Sequence, residues 1–191
     1  MKLQVLIKDV RFGHPSDPET QIAPISTAPQ LAKIEQYVEI AKAEGARLLC
    51  GGKRASAEGY PKGLFYEPTI FLDVENGMRI AQEEVFGPVL SVIPFEDEEE
   101  AVRIANDTIF GLAAGVWTES LARGIRMAEK VRAGTVWVNN YRSTSTTSPF
   151  GGFGMSGVGR EGGIPGIYEY LELKSVWVST NVEIPNPFIR R

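Results

Sequence analysis

Few residues in this 191-residue chain have types and spacing that could do chemistry, and the densest candidate stretch is SPFGGFGMSGVGREGG, residues 148 to 163. It contains G-x-G-x-x-G twice, at Gly152-Gly154-Gly157 and at Gly157-Gly159-Gly162. Directly after a strand and at the start of a helix, that spacing lets the backbone approach a pyrophosphate. The context here does not fit. The nearest predicted strand ends near Asn139, Pro149 and Phe150 directly precede the first glycine, and Pro165 lies just inside the helix that follows. The final predicted strand leaves the domain rather than completing a βαβ unit. The glycines therefore predict a tight irregular loop that uses positive φ and close backbone approach. So long a loop points to a wall or lid beside a functional site.

The other reactive side chains are sparse. The single cysteine, Cys50, sits in RLLCGG at the end of an apolar run, with no neighbouring base in sequence. Free cysteine is among the most buried residue types, so a small buried residue is expected there. A lone cysteine excludes an internal disulfide and fits a reducing, cytoplasmic setting. One histidine, His14, excludes a His-rich metal site. The net charge is −4 with no block of Lys and Arg, so nothing could replace phosphate counterions along a nucleic acid. No run of about 18 apolar residues is present, so no membrane span is expected. The opening MKLQVLIKDV does not read as a signal peptide.

The elements that must position these groups read as one α/β domain. Leu3, Leu6, Ile7 and Val10 have helical spacing. Thr27 is a predicted helix cap, with Pro29 in the first turn and Gln30 at the capping-box position. Leu31, Ile34, Val38 and Ala41 form that helix's apolar stripe, and Gly45 ends it. From residue 68 strands and helices alternate. PTIFLDV, VLSVIPF, AAGVWT and TVWVN are predicted strands. GMRIAQEEVF is a predicted short helix or turn, and DEEEAVRIANDT and SLARGIRMAEKVRAG, the latter capped by Ser120, are predicted helices. Acidic residues in the first turn of DEEEAVRIANDT suit the helix dipole. This alternation implies parallel strands with covering helices. IPGIYEYL is a further short helix, LKSVWVST a final strand, and NVEIPNPFIRR an extended end. Val176, Trp177 and Val178 in succession would make an apolar edge, which predicts pairing with another subunit or cover by the chain's own tail.

Four motifs in register carry a resemblance over essentially the whole chain up to about residue 180. EEVFGPV (83 to 89), NDTIFGLAAGVWT (106 to 118), GTVWVNNY (134 to 141) and SPFGGFGMSGVGRE (148 to 161) resemble the C-terminal part of an aldehyde dehydrogenase, and DPETQIAP (17 to 24) is also family-like. The resemblance implies a fold: a partial parallel-sheet α/β catalytic domain over residues 1 to 170, with helices on both faces. An oligomerisation strand and extended tail would follow over residues 171 to 191. It also implies a reaction, oxidation of an aldehyde to a carboxylic acid with NAD or NADP. In that chemistry a cysteine thiolate attacks the aldehyde, hydride leaves to the nicotinamide, and a glutamate acts as general base in hydrolysis of the thioester. Backbone and asparagine donors stabilise the oxyanion.

The sequence departs from the family in what it lacks. The nucleophile, in its Gly-Gln-x-Cys context, the general-base glutamate and the Rossmann-like domain are all expected upstream of the DPET-like loop. Cys50 does not match the nucleophile's position. The resemblance therefore assigns no catalytic residue to this chain. It implies that Glu84 holds the nicotinamide ribose, since a carboxylate can accept from both hydroxyls, while a solvated acid is the plain alternative. It implies that Phe86 packs near the nicotinamide and that Phe150 lines the aldehyde pocket. Tyr141, Arg142, Ser143 and Thr144 fall in the loop that shapes the substrate entrance. Arg142 could pair with a carboxylated aldehyde or be a solvated loop charge. Asn139 is expected to orient the neighbouring loop, and Arg160 and Glu161 to fix the glycine loop by ion pairing or capping. Gly154 stands where relatives often carry lysine.

Three readings follow. The first is a segment of an NAD(P)-dependent aldehyde dehydrogenase, inert alone, that forms a homo-oligomer or joins a complementing N-terminal chain. The second is a non-enzymatic self-association or partner-binding module derived from that family. An autonomous nucleotide-binding protein is the third and weakest. None involves nucleic acid or membrane.

Overall fold

The computed structural model describes residue 5, residues 7–180 and residues 188–189. Five strands form two separate sheets. Strands β1 (Arg47–Cys50), β2 (Thr69–Leu72) and β3 (Val89–Ser91) form one sheet in that order. Strands β4 (Ala113–Val116) and β5 (Thr135–Val138) form the other. The β2–β3 and β4–β5 pairings are parallel, as the alternation of elements implies, whereas β1 runs antiparallel to β2. The predicted parallel sheet is thus a mixed three-stranded sheet and a parallel pair. Strand β1 can run antiparallel because a long loop, rather than a crossover helix, links it to β2. The run VLSVIPF forms a ladder only over β3.

Helix α1 (Ala28–Ala43) begins where its sequence says it should, with Thr27 Oγ1 accepting from the Gln30 amide at 3.3 Å. The capping box does not close, however. The Gln30 side chain reaches across to a distant loop, leaving the cap one-sided. Leu31, Ile34, Val38 and Ala41 are all at most 1% exposed, and they meet Phe71 of β2 together with Tyr66 and Val74 in the main core. Gly45 takes φ +100° after the last turn, a conformation that costs glycine little. Burial pushes the Tyr66 phenol up to about 12, with the carboxylates of Glu35, Glu39 and Glu67 adding to the shift.

The second half is built on α3 (Glu98–Asn106) and α4 (Leu121–Lys130). Asp97 Oδ1 accepts from the Glu100 amide at 2.8 Å, and Glu98, Glu99 and Glu100 occupy the first turn of α3. Ser120 caps α4 by accepting from the Arg123 amide at 3.3 Å. Helix α4 packs on β4 and β5 and against α3, and Glu98 pairs with Arg126 at 2.8 Å. Between α3 and β4 lies the sequence NDTIFG. Asn106 donates to the Lys130 carbonyl at 2.8 Å and accepts from the Arg132 amide at 2.7 Å. Asp107 accepts from Asn76 at 2.7 Å and, through its carbonyl, from Gln82 at 2.9 Å. The Asp107 bonds join the two halves, and the Asn106 bonds tie α3 to the end of α4. Helix α2 (Arg79–Gln82) and a last short helix, α5 (Gly163–Tyr168), complete the described elements.

The final strand LKSVWVST, expected to pair with another subunit or be covered by the tail, forms no ladder among the described residues. Residues 173 to 180 carry no ladder, and Val176, Trp177 and Val178 are 71, 95 and 84% exposed. A strand exists by pairing, and no strand among the described residues pairs with this segment. The helical spacing at Leu3 and Leu6, and most of the extended end at 181 to 191, lie outside the described residues. Among the described residues no helix is long and apolar enough to cross a membrane.

Candidate functional site

Glu84 and Phe86 lie on the segment between α2 and β3, and α1 holds that segment from beneath. Gln30 Nε2 donates to the carbonyls of Val85 at 2.8 Å and Phe86 at 2.9 Å, and Lys33 Nζ donates to the Glu84 carbonyl at 2.7 Å. Three successive carbonyls are thereby fixed by two side chains one helical turn apart, the spacing at which residues share a helix face. Phe86 takes φ +54°, a conformation a bulky residue adopts only where the surroundings impose it. Its ring is 71% exposed, with the Lys33 ammonium 5.5 Å from its centroid. The neighbouring Gly87 sits against Ile34, where a Cβ would lie 2.6 Å from the isoleucine side chain. The result is a carboxylate and an aromatic ring, both exposed, on a backbone that cannot drift. Gln30 and Lys33 were not singled out from sequence as site residues. The signal was present in the unclosed capping box, but only the tertiary contact shows where the glutamine goes.

Glu83, next to Glu84, has the opposite fate. It accepts two bonds from Arg79, at 2.8 and 2.9 Å, and a short bond from the Tyr37 hydroxyl. The Arg79 bonds, followed by the tyrosine bond, hold the Glu83 carboxyl down to about 2 from its ordinary 4.5. The same pairing raises the Tyr37 phenol. Glu83 is thus committed to anchoring, whereas the Glu84 side chain makes no hydrogen bond or ion pair among the described residues.

The pocket-lining candidates fall on the other sheet. Asn139 follows β5 at φ +50° and makes a reciprocal pair with Thr118, accepting from its amide and donating to its carbonyl, both at 2.8 Å. This is the loop-orienting job expected of it. Beyond it, Tyr141 packs its ring 5.5 Å from Trp137 and 6.1 Å from Trp117. Trp137 Nε1 donates to the Ser143 carbonyl at 2.8 Å, and Asn140 donates to Ser143 Oγ at 2.7 Å, closing a small loop around Arg142. Arg142 itself has φ +61° and is exposed, as is Thr144.

Phe150 is half-buried and forms an antiparallel bridge with Glu161, each amide donating to the other's carbonyl at 2.7 Å. It lines a cleft of about 630 Å³ with Arg160, Glu169 and Tyr170; Tyr141, Arg142 and Thr144 do not line that cleft. No hydrogen bond, ion pair or ring contact joins Glu84 or Phe86 to Tyr141, Arg142, Thr144 or Phe150 among the described residues. The structure thus presents the site as two fixed surfaces on separate sheets.

The glycine loop that follows Phe150 is irregular. Gly154–Ser156 is one 3-10 turn, with no strand directly before it and no α-helix at Gly157. Gly154 takes φ +56°, and a Cβ there would collide with the Ile109 carbonyl oxygen. Arg160 fixes the loop by donating to the carbonyls of Gly159 at 2.6 Å and Gly152 at 3.0 Å while stacking 5.2 Å over Phe153. Its role is therefore backbone bonding rather than the ion pair or helix cap expected. Cys50 also differs from expectation. It is half-buried, not buried, and lines a cavity of about 380 Å³ beside Phe12 and Glu67, because the bulge between Leu48 and Cys50 turns it off the core face. Among the described residues no group of three or more His, Cys, Asp or Glu is arranged to hold a metal ion.

An α/β fold of this kind, with a tethered acidic-aromatic loop facing solvent, belongs to a defined class. The family model described as the aldehyde dehydrogenase family matches residues 1–176, and the chain belongs to that family. It is 47% identical over 181 residues to a betaine aldehyde dehydrogenase of Brucella anthropi, covering 95% of this chain and 37% of that protein. A solved betaine aldehyde dehydrogenase of Staphylococcus aureus in complex with NAD+ is 41% identical, with a TM-score of 0.88 over 98% of this chain and 38% of that one. An aldehyde dehydrogenase of Mycobacterium tuberculosis complexed with NAD+ is 43% identical, with a TM-score of 0.85 over 95% and 37% of the respective chains. The chain therefore spans well under half the length of these relatives.

The anchor of the Glu84 loop should respond to acid. A carboxyl lowered in the folded state contributes stability that is fully present above its unfolded value near 4.5 and is lost as pH falls through about 2. Acid titration followed by NMR of the Glu84–Phe86 amides should show the loop loosening within that window. In Glu83→Gln this pH-linked step should disappear while the Gln30 bonds persist. An unchanged titration in the variant would remove the role assigned to Glu83.

Proposed function

We propose that this chain forms the cofactor-facing loop and part of the aldehyde pocket of an NAD(P)-dependent aldehyde dehydrogenase, and that it is inert alone. The observation that carries the reading is the Glu84–Phe86 loop. Its three carbonyls are tied to Gln30 and Lys33, so its carboxylate and ring face outward. Those two groups fit a nicotinamide nucleoside: the carboxylate accepts from ribose hydroxyls, and the ring offers an apolar face. The NAD+ complexes of the Staphylococcus aureus and Mycobacterium tuberculosis relatives support the cofactor class. When bound, the nicotinamide accepts the hydride that leaves the aldehyde carbon. This chain's own part is to hold the ribose through Glu84 and to line the pocket through Phe150. It has one cysteine, and Cys50 sits at the end of β1 facing a separate cavity. The nucleophile and general base are thus assigned to polypeptide that this chain does not match.

With NAD+ and an aldehyde the purified chain should form no NADH. Combined with the nucleophile-bearing part of a relative it should form NADH. In that assembly Glu84→Gln should weaken nicotinamide binding about 10-fold or more, since hydrogen bonds to a charged group contribute about 1.5–3 kcal/mol. Unchanged affinity would refute the role, and NADH formation by the chain alone would refute inertness.

Arg142, exposed on the loop after β5 and outside the Phe150 cleft, carries a cation on a backbone held at φ +61° by the bonds around it. The proposed preference is for an aldehyde bearing a carboxylate, which a guanidinium can pair with bidentately. In the complemented assembly Arg142→Ala should lower kcat/KM for an acidic aldehyde about 10-fold while leaving a neutral aldehyde within about 2-fold. Equal losses for both would remove the carboxylate partner.

A second reading, self-association without catalysis, is favoured by the exposed run Val176-Trp177-Val178. Light scattering of the chain at increasing concentration should show assembly, and Trp177→Lys should reduce it. A monomer at every concentration would sink this reading.

A further inference from the structure

The turn that leads from β2 into α2 holds the chain's one asparagine–glycine pair, Asn76-Gly77. The Met78 amide donates to the Glu75 carbonyl at 3.0 Å and closes this turn. The Gly77 amide makes no hydrogen bond among the described residues. Gly77 is exposed and Asn76 half-buried, and a Cβ added at Gly77 would meet nothing within 4 Å. By contrast, the amide that follows Asn106 is held by the carbonyls of Arg103 and Ile104, at 3.0 and 3.3 Å. A free amide with no side chain to shield it, directly after an asparagine, is an internal nucleophile for that asparagine's carboxamide carbon. Asn76 is also a joint. Its Nδ2 donates to Asp107 Oδ2 at 2.7 Å, and its carbonyl accepts from Gln82 Nε2 at 2.7 Å. The same Gln82 nitrogen donates to the Asp107 carbonyl at 2.9 Å.

We propose that Asn76 is a self-modification site, where the Gly77 amide displaces the side-chain nitrogen and the product opens the junction with Asp107. The Gly77 nitrogen, its proton taken by solvent base, attacks Asn76 Cγ. The N–Cγ bond forms and the Cγ–Nδ2 bond breaks. The proton lost by Gly77 returns through solvent to Nδ2, which leaves as ammonia. One water then opens the cyclic imide at either carbonyl and leaves an aspartyl or an isoaspartyl residue. One water enters, one ammonia departs, and nothing is oxidised or reduced. The departing atom is the donor to Asp107. A carboxylate in its place faces the Asp107 carboxylate across a contact of 2.7 Å, where like charges repel. The isoaspartyl product also adds a methylene to the main chain and displaces the carbonyl that Gln82 holds. Gln82 ends α2 and directly precedes Glu83 and Glu84, so the change reaches the anchored loop through the backbone.

The purified chain is aged in mildly alkaline buffer, and its peptides are mapped by mass spectrometry with enzymatic methyl transfer to detect isoaspartate. Asn76 should convert ahead of Asn106, Asn139 and Asn140. Gly77→Ala, whose methyl group the turn has room for, should slow conversion about 10-fold or more by shielding the attacking nitrogen. The Gln82 and Glu83 amides, bonded to the carbonyls of Met78 and Arg79, report on the junction. Their hydrogen exchange should quicken about 10-fold in the aged chain and in Asn76→Asp, the size of one lost charge-assisted bond. Combining Asn76→Asp with Asp107→Asn exchanges donor and acceptor, and should bring both amides back to within about 2-fold of the starting chain. Asn76 as durable as Asn106, or equal conversion in Gly77→Ala, would overturn the proposal, and neither measurement depends on the Asn76 variant folding. Unchanged exchange in Asn76→Asp and in the aged chain, or a swap that restores nothing, would overturn it as well.

Discussion

Two adjacent residues at the end of α3 hold the two halves of this molecule in register. Asn106 bonds forward along the chain to the end of α4, through the Lys130 carbonyl and the Arg132 amide, while Asp107 bonds back to Asn76, in the loop after β2, and to Gln82 of α2. Each such bond contributes only about 0.5–1.5 kcal/mol net, more where a carboxylate accepts. Their weight comes from position, because no strand ladder crosses between the sheets. Everything on the β4–β5 side, including the tyrosine–arginine loop and the glycine turn, is placed relative to the first sheet partly through this pair.

The same economy governs the Glu84–Phe86 loop. A positive φ at Phe86 costs on the order of 1–3 kcal/mol and persists only when neighbours determine it. Gln30, Lys33 and the Arg79–Glu83–Tyr37 cluster are those neighbours. Positive φ recurs at Asn139 and Arg142, and three of the four described non-glycine residues in that conformation thus lie at candidate site positions. Rigid, strained backbone holding exposed side chains is the arrangement expected of a surface prepared for a ligand.

Much of this was legible in the sequence. The cap residues Thr27, Asp97 and Ser120, the stripe of α1 and the glycine stop at Gly45 follow from local rules that tertiary contacts did not override. The glycine run was legible as a loop because the nucleotide fingerprint depends on its flanks, and those flanks were wrong. The strand expected at LKSVWVST was not decidable locally. Its residues favour a strand, yet a strand requires a partner, and among the described residues there is none. Cys50 was misjudged because a bulge, which composition does not announce, turned it from the core.

What the sequence determined by itself was α1, the order of strands and helices from β2 to β5, and the family, because capping, periodicity and four motifs in register are local properties. What only the tertiary structure decided was the direction of β1, the split into two sheets, and the use of Gln30 and Lys33 to fix Glu84 and Phe86. Those depend on contacts between residues some fifty positions apart. Their energies arise only once the chain has folded and desolvated them, so no local pattern encodes them.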